Sequence, residues 1–147
     1  MSDELDTSGN TSQRNSAFII RQRREVMSAE LKIVERSFEF AVRVVRLCRF
    51  LDEQDRSSRT LASQLLRSGT SIGANIEEAQ AGQSKADFTA KMSIARKEAR
   101  ETLYWLRLIK AADMVEVSKL DDITREADEL VRILTAIVKT SQLGKNS

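Results

Sequence analysis

Apolar side chains recur at alternating spacings of three and four residues through four consecutive stretches of this 147-residue chain, and no other feature constrains its fold as strongly. Such spacing lines up one face of an α-helix, and a helix with one apolar face is stable only against another element. The sequence contains no proline, so nothing forbids long uninterrupted helices. In the first stretch Ile33, Ser37, Phe40, Val44, Leu47 and Leu51 form one line, and Val34, Phe38, Ala41, Val45 and Cys48 form a second beside it. Together they give an apolar face about 160° wide, which predicts a helix over 30–53 that touches more than one neighbour.

Asp52 to Ser58 breaks the pattern and offers Ser57 or Ser58 as an N-cap. The second helix is expected over 58–81, with Leu61, Leu65, Ser68, Ile72, Ile76 and Ala79 in line and Gly82 as a left-handed stop. Ser84 and Asp87 then read as an N-cap and its third-position acid, starting a helix over 84–112 that carries Phe88, Met92, Ala95, Ala99, Thr102, Leu106 and Ile109. After a turn at DMVEVS, Ser118 is the expected cap of a fourth helix over 118–141, with Leu120, Ile123, Ala127, Leu130, Leu134, Ile137 and Ser141 on its inner face. Short turns place successive helices side by side and antiparallel. The fold class is therefore all-α, an antiparallel up-and-down four-helix bundle of left-handed twist, filling one domain over 30–142.

Residues 1–29 are rich in Ser, Thr, Asn, Asp and Arg with few apolar positions before Phe18, which predicts a mobile polar arm. Its Arg21 to Arg24 run reads as solvated charge. Residues 143–147 are expected to fray. No stretch resembles a signal peptide or approaches the roughly 18 apolar residues that span a membrane, and the single Cys48 excludes a disulfide framework within one chain. A cytoplasmic protein without membrane contact is expected.

The absence of histidine removes the commonest general base, Ser-His triads, histidine zinc sites and the Glu-x-x-His ligands of di-iron bundles. No phosphate-binding glycine loop follows a strand. A remote enzymatic alternative rests on Glu77, Glu78, Glu98 and Glu101 as a cradle for Mg²⁺ or Mn²⁺. Turning each helix by about 100° per residue, however, leaves only Glu98 and Asn75 bordering the apolar stripe, so Glu98 is expected to bond Lys91, Asn75 or a neighbouring chain. A non-enzyme without cofactor or metal follows.

Two features point instead to contact with a partner. Gly69 and Gly73 stand four apart inside a helix, where each costs about 1 kcal/mol relative to alanine, so a neighbouring helix of this chain or of another subunit is expected to approach there. Charge is also segregated: the chain carries +2 in all, but residues 84–112 hold seven Lys or Arg against three Asp or Glu, and 113–147 hold five against seven. Lys85, Arg96, Arg100, Arg107 and Lys110 fall within an arc of about 80° on the third helix. They are candidates either to pair with Asp121, Asp122, Glu126, Asp128 or Glu129, within or between subunits, or to bind a polyanion such as RNA or DNA. Tyr104 and Trp105 lie off this arc, so stacking of single-stranded bases has little support.

The run from Arg67 to Ile109 resembles the bacterial four-helix-bundle family of 23S rRNA intervening-sequence proteins. The likeness lies in SGTSIGANI-E-A at Ser68 to Ala79, S-x-x-DF at Ser84 to Phe88, and IA-x-KEA-x-ET-x-x-WL at Ile94 to Leu106. The resemblance implies a homopentamer, no established catalytic activity, and similarity to the accessory protein of diversity-generating retroelements, a basic pentamer that binds nucleic acid and reverse transcriptase. It implies packing or interface roles for Ser68, Gly69, Gly73, Asn75, Glu78, Glu98, Glu101 and Trp105. The net charge of this chain is modest beside that accessory protein. The expected function is a non-enzymatic homo-oligomeric scaffold, with the third-helix stripe as its candidate surface for RNA or DNA and a reverse-transcriptase or retroelement accessory subunit as the alternative.

Overall fold

The structure, a computed structural model, describes residues 8–144. Four helices follow in order: α1 (Ser8–Asp52), α2 (Arg56–Gln80), α3 (Lys85–Ala111) and α4 (Val117–Leu143), with no strand among the described residues. The chain divides into two units at the boundary between Ile33 and Val34.

In the first unit, helix begins at Ser8, where the composition suggested it would begin near Glu30. Arg, Gln, Glu, Met and Ala in this stretch are good helix formers. Local bonds add to that, since Ser16 donates to the Ser12 carbonyl at 3.0 Å and Arg21 pairs with Glu25 at 3.1 Å. Phe18, Ile19, Ile20, Val26, Met27 and Leu31 are all exposed. Residues 1–7 of the expected arm lie outside the described residues, as do residues 145–147 of the expected C-terminal tail.

The second unit packs residues 34–52 of α1 with α2, α3 and α4, and each neighbouring pair runs antiparallel. Val44 and Cys48 of α1 meet Gly69 and Ala62 of α2 in opposite order. Thr102 of α3 donates to Ser68 of α2 at 3.0 Å, while Lys91 lies 2.5 Å from Glu78. Between α3 and α4, Thr89 meets Ser141 and Lys110 meets Asp121. The ring closes where Arg36 and Phe50 of α1 meet Glu126 and Lys119 of α4. Inside it Phe40, Leu51, Leu65, Ile72, Ile76, Met92, Leu106, Ile109, Leu130 and Leu134 are shut off from solvent. Among the described residues no helix is long and apolar enough to cross a membrane.

The buried stripes match the heptad reading through the middle of each helix and slip by one residue near one end. Cys48 is buried where Leu47 was expected, Ala62 for Leu61, Thr89 for Phe88 and Val138 for Ile137. At the C-terminal ends of α1 and α4 the slip has the sense of the drift of a straight α-helix, about 20° per heptad against a strict 3.5-residue repeat, whereas at the N-terminal ends of α2 and α3 it runs the other way, onto the smaller Ala62 and Thr89.

Helix termini correct three further expectations. Asp55, not Ser57 or Ser58, caps α2, accepting from the Ser58 amide at 2.8 Å. Ser84 does cap α3, accepting from the Asp87 amide at 3.1 Å. At α4 the cap position is Glu116, with no side-chain bond, so Ser118 lies inside the helix. Gly82 does not adopt the left-handed conformation. That conformation falls instead on Asp113 (φ 55°), where the Asp113 amide bonds the Lys110 carbonyl and the Met114 amide bonds the Ile109 carbonyl. This is a Schellman closure of α3, built on an acid that tolerates positive φ better than most residues.

Candidate nucleic-acid interface

The five basic residues expected to share one arc of α3 have different fates. Lys85 opens the helix, and its ammonium lies over Gly144, the C-cap of α4, where the carbonyl ends of a helix favour a cation. Lys110 bonds Asp121 at 2.9 Å. Arg96 is half-buried and Arg100 and Arg107 are exposed, and among the described residues no hydrogen bond or ion pair engages any of the three. The first and last stand eleven positions apart, about 16 Å along the helix axis.

The acids of α4 explain why those guanidinium groups are left over. Glu126 accepts two bonds from Arg36, at 2.5 and 2.9 Å, and Glu129 accepts a third. Asp128 pairs with Arg132 at 2.8 Å and Asp122 with Arg125 at 3.5 Å. Of the five α4 acids expected as partners of the stripe, only Asp121 bonds one of its residues. The Arg36 bonds, first of all, hold the Glu126 carboxyl below the ordinary glutamate value, against the opposing effect of burial. Beside Arg107, a cleft of about 480 Å³ opens between α3 and α4 over Leu103, Thr124 and Asp128.

The residues of the Ser68 to Ala79 motif lie on packed surfaces. Ser68 is buried and accepts from Thr102. Gly69 is buried so closely against α1 that a Cβ there would fall 2.8 Å from Val44 Cγ1, while one at Gly73 would lie 3.4 Å from the Ser37 carbonyl oxygen. Both glycines thus face α1 of the same chain. Asn75 donates to the Ser71 carbonyl at 2.8 Å. Glu98 lies 3.5 Å from Arg67, which also engages Glu101, so its partner is neither Lys91 nor Asn75. Glu101 accepts from Trp105 Nε1 at 3.2 Å, and Trp105 meets Tyr104 edge to face with centroids 5.0 Å apart. Among the described residues no three carboxylate or cysteine side chains gather closely enough to hold a metal ion. Of the four acids that might cradle Mg²⁺ by sequence, Glu98 and Glu101 share Arg67, Glu78 pairs with Lys91, and Glu77 is exposed.

Arg36 and Arg67 carry no sequence signal that marks them as pairing residues. Arg36 and Glu126 are 90 residues apart and Arg67 and Glu98 are 31 apart, so no local spacing links them.

These features define a four-helix-bundle protein whose helices close on one another through buried apolar stripes and inter-helix ion pairs. Residues 29–136 match the family of 23S rRNA-intervening sequence proteins, and the chain belongs to that family. Among solved structures it is similar to a protein of unknown function from the S23 ribosomal protein family of Bacteroides thetaiotaomicron. The identity is 41% and the TM-score 0.71, over 76% of this chain and 98% of that one. No curated protein matches the chain.

Proposed function

We propose that this protein is a non-enzymatic homo-oligomeric scaffold, a pentamer of left-handed bundles, that binds RNA or DNA through Arg96, Arg100 and Arg107 of α3. The observation that carries the reading is the division of charge on α3 and α4: the neighbouring acids are taken by Arg36, Arg125, Arg132 and Lys110, and three guanidinium groups remain. Unpaired cations in a row repel one another and gain most from a polyanion, whose phosphates also release bound counterions. A span of about 16 Å corresponds to about five nucleotides at 3.4 Å each. Oligomerisation is supported by the family likeness and by large apolar side chains left on the bundle surface, Phe38 at 63% and Tyr104 at 55% exposure. The buried free thiol of Cys48 suits a reducing, cytoplasmic setting.

Fluorescence anisotropy with a labelled single-stranded RNA and its DNA counterpart tests the site. Binding should weaken steeply with salt, with a log–log slope of about −2 for three phosphates on each protomer. The R96Q/R100Q/R107Q variant should abolish it. Equal affinity of that variant and the parent would remove the stripe as the binding site.

A further inference from the structure

The groove between α1 and α4 holds a second concentration of positive charge on a different kind of floor. Arg43, Arg46, Leu47 and Phe50 of α1 face Lys119 and Ile123 of α4 around a cavity of about 320 Å³. No carboxylate lines it, and among the described residues no ion pair engages Arg43, Arg46 or Lys119. On α4, Glu126 and Glu129 are engaged by Arg36 and Asp122 by Arg125. Glu126 feels the charge of Arg43, but Arg36 already bonds both of its oxygens. Three like charges rimming one groove repel each other. Beneath them the floor is apolar, with Phe50 36% exposed.

We propose that this groove docks an acidic, amphipathic helical segment of a partner protein, with carboxylates on Arg43, Arg46 and Lys119 and an aliphatic side chain on Leu47, Phe50 and Ile123. Charge complementarity sets the sign of the partner. Spacing sets its form: Arg43 and Arg46 are one helical turn apart, a rise of about 4.5 Å, which matches carboxylates three or four residues apart on a facing helix. The floor separates a protein from a nucleic acid. Phe50 is the only aromatic side chain lining the groove, and the Lys119 ammonium sits 4.4 Å from its ring centroid, which takes the ring out of use as a platform for a base. An aliphatic side chain needs no open ring face, and a volume of this size accepts one or two of them.

The probe is a fluorescein-labelled peptide of about 15 residues, composed of Glu, Ala and Leu with Glu pairs four apart and one Leu between them, long enough to fold as a helix on binding. Saturable binding is expected from the full-length protein, with Kd raised about tenfold or more in R46Q/K119Q, whose two sites are exposed. Replacing the Glu residues of the peptide by Gln should abolish binding, and replacing its Leu by Ser should weaken it. The R96Q/R100Q/R107Q variant should bind the peptide as the parent does, so loss of the α3 stripe and loss of this site are separable. No binding of the peptide, or equal binding by R46Q/K119Q, overturns the proposal. Displacement of the peptide by single-stranded RNA that itself binds less tightly to R46Q/K119Q overturns it as well, by making a nucleic acid the occupant.

Discussion

Replacing Gly69 by alanine should destabilise the bundle, and the same change at Gly73 should stabilise it. Both sites gain about 1 kcal/mol from the better helix propensity of alanine. At Gly69 the new methyl would sit 2.8 and 2.9 Å from the two γ-carbons of Val44, closer than carbon atoms come without displacement. Val44 is fully buried, and its branched side chain has essentially one rotamer in a helix, so it cannot swing aside. Overpacking of this kind costs about 1–3 kcal/mol, leaving a net loss of up to about 2. At Gly73 the nearest atom is 3.4 Å away, an ordinary contact, and most of the propensity gain survives. Urea unfolding followed by circular dichroism should therefore separate the two variants by about 1–3 kcal/mol, or several degrees in Tm. Adding Val44→Ala to Gly69→Ala should recover about 1 kcal/mol of coupling in a double-mutant cycle. Equal stabilisation by both alanines would refute the close approach of α1 to α2.

Other consequences can be checked singly. Because the fold holds the Glu126 carboxyl below its ordinary value, its contribution is fully present above the normal glutamate range and is lost as the pH falls through the folded value; Glu126→Gln should flatten that acid limb and cost roughly 1 kcal/mol near neutrality, read from urea titrations across pH. Burial pushes the Cys48 thiol up to about 12, so a thiol reagent at pH 8 should react with it only as fast as the protein opens, and rapid labelling of the native state would show that it is not buried. Asp113→Gly relieves the one left-handed non-glycine residue among those described and should raise stability by up to about 1 kcal/mol in thermal melts; no change would mean that the α3 turn closes differently.

The sequence made the bundle legible because four stripes of apolar residues leave few ways to hide them. Leu65, Ile72, Met92, Leu106 and Leu130 sit in the core at the positions the heptads give. Termini were less legible, since several polar residues compete for each cap: Asp55 and Glu116 occupy positions assigned to serines a few residues on. The start of α1 was missed because composition measures how much surface a segment can bury, whereas helix formation in residues 8–33 draws on propensity and bonds four residues apart. For the candidate interface, an angular argument sufficed to gather Arg96, Arg100 and Arg107 on one helix. Their lack of partners depends on how the acids of α4 are distributed, with Glu126 and Glu129 turned toward Arg36 of α1 and Asp122 and Asp128 paired along their own helix, and the Arg36 contact, between residues about 90 positions apart, is one that no local pattern announces. The groove around Arg43, Arg46 and Lys119 is assembled from two distant helices and was invisible for the same reason.

The mass of the native particle tests the central claim most directly, because a scaffold that presents the α3 stripe must first assemble. Sedimentation equilibrium or native mass spectrometry at micromolar concentration should give about 83 kDa, five chains of 16.6 kDa each. A particle of 16.6 kDa under those conditions would contradict the account.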